Sequence, residues 1–133
     1  MALRYFCVGL GGALGTLLRY WLSGVVAQTP WGETFPWGTI IINVTGSFVI
    51  GFINEVTGPD GSVLAPVYLR EALMIGVMGG YTTFSSFSLQ TLTLAREGEM
   101  MRAGWNILLS VALCLLGVWL GFLLGRWYNL RSL

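Results

Sequence analysis

The chain has 133 residues, of which 55% are apolar, and its 7 basic and 6 acidic side chains leave a net charge of +1. Long charge-free stretches exclude a soluble enzyme, because helices without a polar face have nothing to turn toward water. A net charge of +1 without a basic cluster also argues against a nucleic-acid partner.

Four apolar segments predict four transmembrane helices. Residues 34–54, 72–95 and 103–125 contain no ionisable side chain, and each exceeds the roughly 18 residues that indicate a spanning helix. The fourth segment, residues 5–26, is interrupted only by Arg19, which snorkelling or a polar partner could accommodate. We therefore predict an all-α membrane protein whose single domain, residues 1–133, has helices over about 3–27, 36–56, 66–95 and 102–126.

Small residues recur at helical spacing on the first and last of these helices. Gly11 and Gly15 lie four residues apart, as do Gly117, Gly121 and Gly125. Such stripes let helix backbones approach closely in lipid, where there is no hydrophobic drive between helices. They indicate that the helices pack and say nothing of what the protein carries.

The second helix carries a polar stripe. Thr39, Asn43, Ser47 and Asn54 fall within about a quarter-turn of one another at the 100° per residue of an α-helix. An amide buried in lipid without a partner costs several kcal/mol. The stripe must therefore face another helix or water, and the pattern fits hydrogen bonding between helices as well as a solute pathway.

The third helix should be broken near the bilayer midplane. Two adjacent glycines, Gly79 and Gly80, precede Thr82 and Thr83. Glycine has high backbone entropy, and threonine hydroxyls compete for backbone partners. Broken backbone at that depth is tolerated where protein or a water-filled cavity satisfies it, and it often coordinates ions. The alternative is an intact helix whose glycines serve close packing.

The residues after the predicted break suit a small anion. Phe84 and Phe87 are three residues apart and share a helix face, with hydroxyl residues between them and Gln90 about one turn later. The rim of an aromatic ring carries partial positive charge, and hydroxyls donate hydrogen bonds. Residues 72–95 contain no Asp, Glu, His, Lys or Arg, so this helix offers no ionisable relay of the usual kind for proton-coupled transport.

The basic residues give a weak orientation signal. One membrane side would hold Arg4, Arg70, Arg126 and Arg131, the other Arg96 and Arg102, with Arg19 ambiguous. Such a small asymmetry does not fix the orientation, so insertion in both directions is one hypothesis. A chain this short also has a thin interior, so we predict a homodimer, which is antiparallel if both orientations occur.

Three blocks of sequence resemble the Fluc (CrcB) family of fluoride channels: residues 11–20 (GGALGTLLRY), 37–48 (WGTIIINVTGSF) and 79–88 (GGYTTFSSFS). The blocks occur in the family's order, and the resemblance covers essentially the whole chain. It implies a passive fluoride-selective channel, not an enzyme, that exports fluoride across the bacterial cytoplasmic membrane and so lowers fluoride toxicity. It also implies an antiparallel homodimer with two pores, a structural sodium ion at its centre and no organic cofactor.

The resemblance carries the family's functional residues onto this chain. The pore asparagine falls on Asn43 and the fluoride-facing ring pair on Phe84 and Phe87. The backbone carbonyls of Gly79 and Thr82, two from each subunit, would hold sodium. The remaining expected positions are the pore hydroxyls and amide Thr83, Ser86, Ser110 and Gln90, and the vestibule arginine Arg19.

The chain departs from the family at a few positions. Many members have threonine where this chain has Ser86, and members often have glutamate and tyrosine at Gln90 and Asn106; Asn106 therefore receives no role. A second interpretation is a small multidrug-resistance-like exporter of dual topology, but such exporters resemble one another in a glutamate on the first helix, where this chain has Arg19. A scaffold subunit would use the same glycine stripes without needing a weakened, polar midplane.

Overall fold

A computed structural model describes residues 1–132 of the chain, and these are helical with no strand. Helix α1 is followed by α2, and a third span is divided into α3, a π-helical segment, α4 and α5. The bounds are α1 Ala2–Ala27, α2 Trp37–Val56, α3 Val67–Glu71, the π-helical segment Ala72–Val77, α4 Met78–Tyr81, α5 Phe84–Arg96 and α6 Met100–Ser132.

The spans alternate in direction. Arg4 at the start of α1 forms an ion pair with Glu71 near the start of the third span. Arg70 donates to the Asn54 side chain at the end of α2 over 2.7 Å, and Asn129 near the end of α6 donates to the carbonyl of Glu55 over 3.1 Å. The first and third spans therefore begin at the end of the molecule where α2 and α6 finish.

Helices α2 and α6 form the most extensive helix pair. They run parallel, since Gly117 lies against Val44 and Gly121 against Phe48 and Phe52. A Cβ atom on Gly121 would collide with the backbone of Phe48. The glycine stripe predicted for packing therefore joins two helices of the same chain at backbone distance.

The first half of the third span packs along α1 in the same way. Gly11 lies against Ala72 and Gly76, and a Cβ atom on Gly15 would collide with the carbonyl of Val77. The backbone of α1 thus lies against the π-helical segment, in which hydrogen bonds reach five residues back and the helix is locally wider. The sequence of this segment, ALMIGV, is that of an ordinary apolar helix, so this irregularity was not predicted.

The third span is interrupted where the sequence predicts a break. Thr82 and Thr83 have extended backbone, with φ/ψ of −79°/158° and −152°/108°. The break falls on the threonines, whereas Gly79 and Gly80 remain in α4. After it, α5 packs mainly on α6. The two halves of the span therefore have different main partners, α1 and α6, while both touch α2.

The last helix is longer than expected. The last helix continues to Ser132 instead of ending near residue 126, because residues 127–132 contain neither glycine nor proline. Among the helices of residues 1–132, only α2 and α6 are, by themselves, long and apolar enough to cross a membrane. The third span is divided into shorter pieces, and α1 is 26 residues long but contains Arg4 and Arg19.

Candidate functional site

A cavity of about 350 Å³ opens beside the break in the third span. It is lined by residues from α2, both sides of the break, and α6. None of the lining residues carries an ionisable carboxylate, imidazole, ammonium or guanidinium group. Seven of the predicted site residues meet there: Asn43, Gly79, Thr82, Thr83, Phe84, Phe87 and Ser110.

The amide of Asn43 binds the backbone of Thr83 in both directions. Its Oδ1 accepts the N–H of Thr83 at 2.7 Å, and its Nδ2 donates to the carbonyl of Thr83 at 3.0 Å. The side chain therefore acts as a peptide group supplied by α2 to the broken backbone. Because a carboxamide has two N–H donors, one is left for the cavity that Asn43 lines.

Thr83 caps the second half of the span. Its Oγ1 accepts the backbone N–H of Ser86 at 3.2 Å and donates to Ser86 Oγ at 3.0 Å. A threonine at the N-cap satisfies one of the N–H groups that the first turn of a helix leaves without a partner. Ser86, predicted to line the path, thus lies next to the cavity and is bound to its wall.

The Asn43 amide and the Thr83 hydroxyl, which cap the broken backbone, leave two carbonyl groups without their helical donors. In a continuous helix, the carbonyls of Gly79 and Thr82 would accept the N–H groups of Thr83 and Ser86, four residues later. Those N–H groups donate instead to Asn43 and to the Thr83 hydroxyl. Gly79 is exposed, and a Cβ atom there would meet nothing within 4 Å. Carbonyls of unwound backbone are ligands for Na⁺ in membrane proteins, so these residues fit such an ion.

The two predicted phenylalanines form a pair with unequal burial. The ring centroids of Phe84 and Phe87 lie 5.3 Å apart at an angle of 51°. Phe87 is 9% exposed and Phe84 is 77% exposed. Phe87 therefore lines the cavity from inside the chain, while the ring of Phe84 projects from its surface.

A buried polar chain leads away from the cavity between α5 and α6. Ser110 Oγ lies 3.5 Å from Asn106 Oδ1, and Asn106 Nδ2 donates to Thr91 Oγ1 at 2.9 Å. Asn106 is only 1% exposed. No role was predicted for Asn106, although it lies four residues before Ser110 and therefore on the same helix face.

Besides Ser86, which lies next to the cavity, two predicted residues lie outside it. Gln90 lines a different hollow, beside Gly32–Pro36 of the link between α1 and α2. Its Oε1 is buried with no hydrogen-bond partner among the described residues, as is Nε of Arg19 on α1. Neither is brought to the break.

Comparisons with known proteins point to one family. The family model described as "CrcB-like protein, Camphor Resistance (CrcB)" matches residues 6–122. The "Fluoride-specific ion channel FluC" of Rhodospirillum rubrum is 59% identical over 119 residues, 90% of this chain and 92% of the relative. Proteins of the same name are 56% identical in Opitutus terrae, over 88% of both chains, and in Paramagnetospirillum magneticum, over 90% of this chain and 92% of the relative.

Proposed function

This chain belongs to the CrcB family, and from that premise we propose that it is a fluoride-specific ion channel, like its relatives, and not an enzyme. The observation that carries the proposal is the uncharged cavity at the break, where an amide, hydroxyls and two aromatic rings meet. These groups can replace the water around a small anion without trapping it by a full positive charge.

The path of the anion follows from its need for donors. Removing a small anion from water without replacement ligands would cost on the order of tens of kcal/mol at low dielectric. Candidate ligands are the free N–H of Asn43, the hydroxyls of Thr83, Ser86 and Ser110, and the ring edges of Phe84 and Phe87. Several weak sites in series allow both entry and exit. Chloride, which is larger and a weaker acceptor, gains less from a narrow donor-lined path.

The two outlying residues take separate places in this proposal. Arg19 would attract the anion at the vestibule, since its Nε lacks a partner among the described residues. The amide of Gln90 would meet the anion beyond the cavity, beside the link between α1 and α2. Both assignments come from the family resemblance. The unpartnered Nε of Arg19 supports the first, whereas the unpartnered atom of Gln90 is its oxygen Oε1, a hydrogen-bond acceptor, so an anion would have to meet the amide N–H₂ instead.

A sodium ion is proposed as a structural component. The carbonyls of Gly79 and Thr82, deprived of helical donors by the two caps, would hold it, two from each subunit of a homodimer. The ion would offset the dipoles of these carbonyls and add positive charge near the path. Asn43 and Thr83 hold the backbone open around it.

The exposed surface at the break supports a homodimer. Gly79 and Phe84 are exposed on the single chain, and lipid cannot satisfy open backbone at the membrane midplane. A second copy would cover it. The weak arginine asymmetry favours both orientations and hence an antiparallel dimer, multi-pass in the bacterial cytoplasmic membrane. A membrane potential that is negative inside contributes about 2.3 kcal/mol per charge per 100 mV to anion exit, which would lower fluoride toxicity.

The proposal is tested by fluoride efflux from liposomes that contain the purified chain, followed with an ion-selective electrode. We expect rapid fluoride efflux and little chloride efflux when an ionophore dissipates the potential. Protein-free liposomes are the control. Fluoride efflux no faster than in the control, or equal rates for both halides, would reject a fluoride-specific channel.

A further inference from the structure

Asn43 has a second task besides donating to an anion. Asn43 Oδ1 accepts a hydrogen bond from the backbone N–H of Thr83 at 2.7 Å. In a continuous helix, that N–H would donate to the carbonyl of Gly79. Thr83 is 8% exposed, so its N–H cannot turn to water. A buried N–H without an acceptor costs about 1–3 kcal/mol.

We infer that Asn43 is a positioning residue for the cation site: by accepting the Thr83 N–H, it keeps the Gly79 carbonyl free to bind a sodium ion. Without the Asn43 acceptor, the nearest alternative acceptor for the Thr83 N–H is the Gly79 carbonyl, four residues earlier in the chain. The break would then close by one hydrogen bond, and one ligand would be lost from each subunit. The inference rests on the proposed sodium site.

The two freed carbonyls are controlled by separate side chains. Thr83 Oγ1 holds the Ser86 N–H and so frees the Thr82 carbonyl within the same span. Asn43 frees the Gly79 carbonyl from another helix, 40 positions earlier in the chain. The cation site therefore depends on the packing of α2 against the break, whereas the ring pair and the hydroxyls belong to the third span and α6.

The test measures sodium binding without measuring transport. Thermal unfolding of the purified protein in detergent is followed while sodium replaces N-methylglucamine at constant ionic strength. A ligand that binds the folded state raises Tm with its concentration. For the wild type, we expect Tm to rise with sodium to a plateau, which defines a half-maximal sodium concentration.

Asn43→Ala removes the acceptor and Asn43→Asp retains it. We expect the half-maximal sodium concentration to rise at least about tenfold in Asn43→Ala, a change equivalent to about 1.4 kcal/mol. It should not rise in Asn43→Asp, whose carboxylate still accepts the Thr83 N–H and adds negative charge near the cation. Fluoride efflux should nevertheless fall in Asn43→Asp, because a carboxylate repels the anion. Sodium binding and fluoride transport would thus separate in one variant.

Asn129→Ala is the matched control. Asn129, like Asn43, is an asparagine whose side chain bridges backbone groups, here of Ser62 and Glu55, but it lies at the end of α6 away from the break. Its loss should lower Tm equally at all sodium concentrations. Should Asn43→Ala not fold, Asn43→Thr, whose hydroxyl is one bond too short to reach the Thr83 N–H, carries the same expectation.

Two results would overturn the inference. An unchanged half-maximal concentration in Asn43→Ala or Asn43→Thr would mean that the amide does not control the Gly79 carbonyl. A wild type whose Tm does not respond to sodium would remove the cation site and the inference together. Fluoride efflux from liposomes is measured separately, so either result is distinguishable from failure of the channel function itself.

Discussion

The two phenylalanines at the cavity differ in what surrounds them. Phe87 is enclosed by its own chain, whereas Phe84 is 77% exposed and, in a dimer, would contact the second copy. Their ring centroids are 5.3 Å apart, so both rings can present edges to one passing ion. In the proposed fluoride path, the two rings would act as ligands rather than as core packing.

We expect Phe84→Ile and Phe87→Ile each to lower fluoride efflux from liposomes by about tenfold or more, since an added barrier of about 1.4 kcal/mol has that effect. Isoleucine retains an apolar side chain but has no positively polarised rim. The measurement is initial efflux rate at equal protein content, with dimer content checked by size-exclusion chromatography.

Phe6→Ile provides the control for the ring substitutions. Phe6 lies on α1 away from the cavity and is 68% exposed. The fluoride efflux rate of Phe6→Ile should therefore equal that of the wild type. Wild-type rates in both cavity variants would remove the ring edges from the transport path. Loss of the dimer in either variant would instead assign that ring to assembly.

The glycines of α6 differ in how closely another helix approaches them, so substitutions there can distinguish the effect of packing from that of helix propensity. Gly121 faces α2 so closely that a Cβ atom would collide with the backbone of Phe48, while a Cβ atom on Gly104 would meet nothing within 4 Å. Both lie in the same helix. They therefore form a matched pair for measuring the cost of separating α2 from α6.

We expect Gly121→Ala to destabilise the protein by about 1–3 kcal/mol, the usual cost of forcing extra atoms into a packed interior. Gly104→Ala should be neutral or stabilising by up to about 1 kcal/mol, because alanine favours a helix over glycine. Thermal unfolding in detergent measures both. Equal Tm values for the two variants would mean that the α2–α6 contact does not depend on backbone approach.

At the scale of a helix, the sequence predicts which segment interrupts the third span. It does not predict the hydrogen bonds that hold the interruption open. Thr82 and Thr83 were part of the segment predicted to be weak. Gly80 was too, but it stays in helix α4, where its missing side chain leaves room for the backbone of Gly12. The acceptor that completes the break, Asn43, is 40 positions away. Spacing within one helix cannot reveal such a contact, nor the π-helical segment that packs on α1.

The site was predictable to a similar extent. The side chains of Asn43, Thr83 and Phe87 are of types that suit an anion, and the family resemblance gave all three a role in the pore. The polar chain through Asn106 and Thr91 depends on how α5 meets α6. That crossing is set by tertiary packing, for which the sequence offers only the spacing of Asn106 to Ser110.

For the whole molecule, the distribution of arginines bears on the orientation that the chain would take in a membrane. Arg4, Arg70, Arg126 and Arg131 belong to one end, which the contacts of Arg4 and Arg70 support. We expect cysteines introduced at the two termini to be labelled by an impermeant maleimide from outside intact cells in about half of the molecules, because such a small asymmetry does not fix orientation.

A variant with added lysines beside one terminus is the control for this experiment. It should shift labelling strongly toward one side, since basic residues favour the cytoplasm. Labelling of the unmodified chain from one side alone would exclude the dual orientation and, with it, the antiparallel dimer.

The change of partners at Thr82 and Thr83 has a consequence for the history of the family. Residues 67–81 pack on α1, and residues 84–96 pack mainly on α6. Substitutions inherited in the first half should thus be compensated by changes in α1, and those in the second half by changes in α6. One continuous hydrophobic segment would then record two independent lines of co-variation, with the boundary between them at the paired threonines.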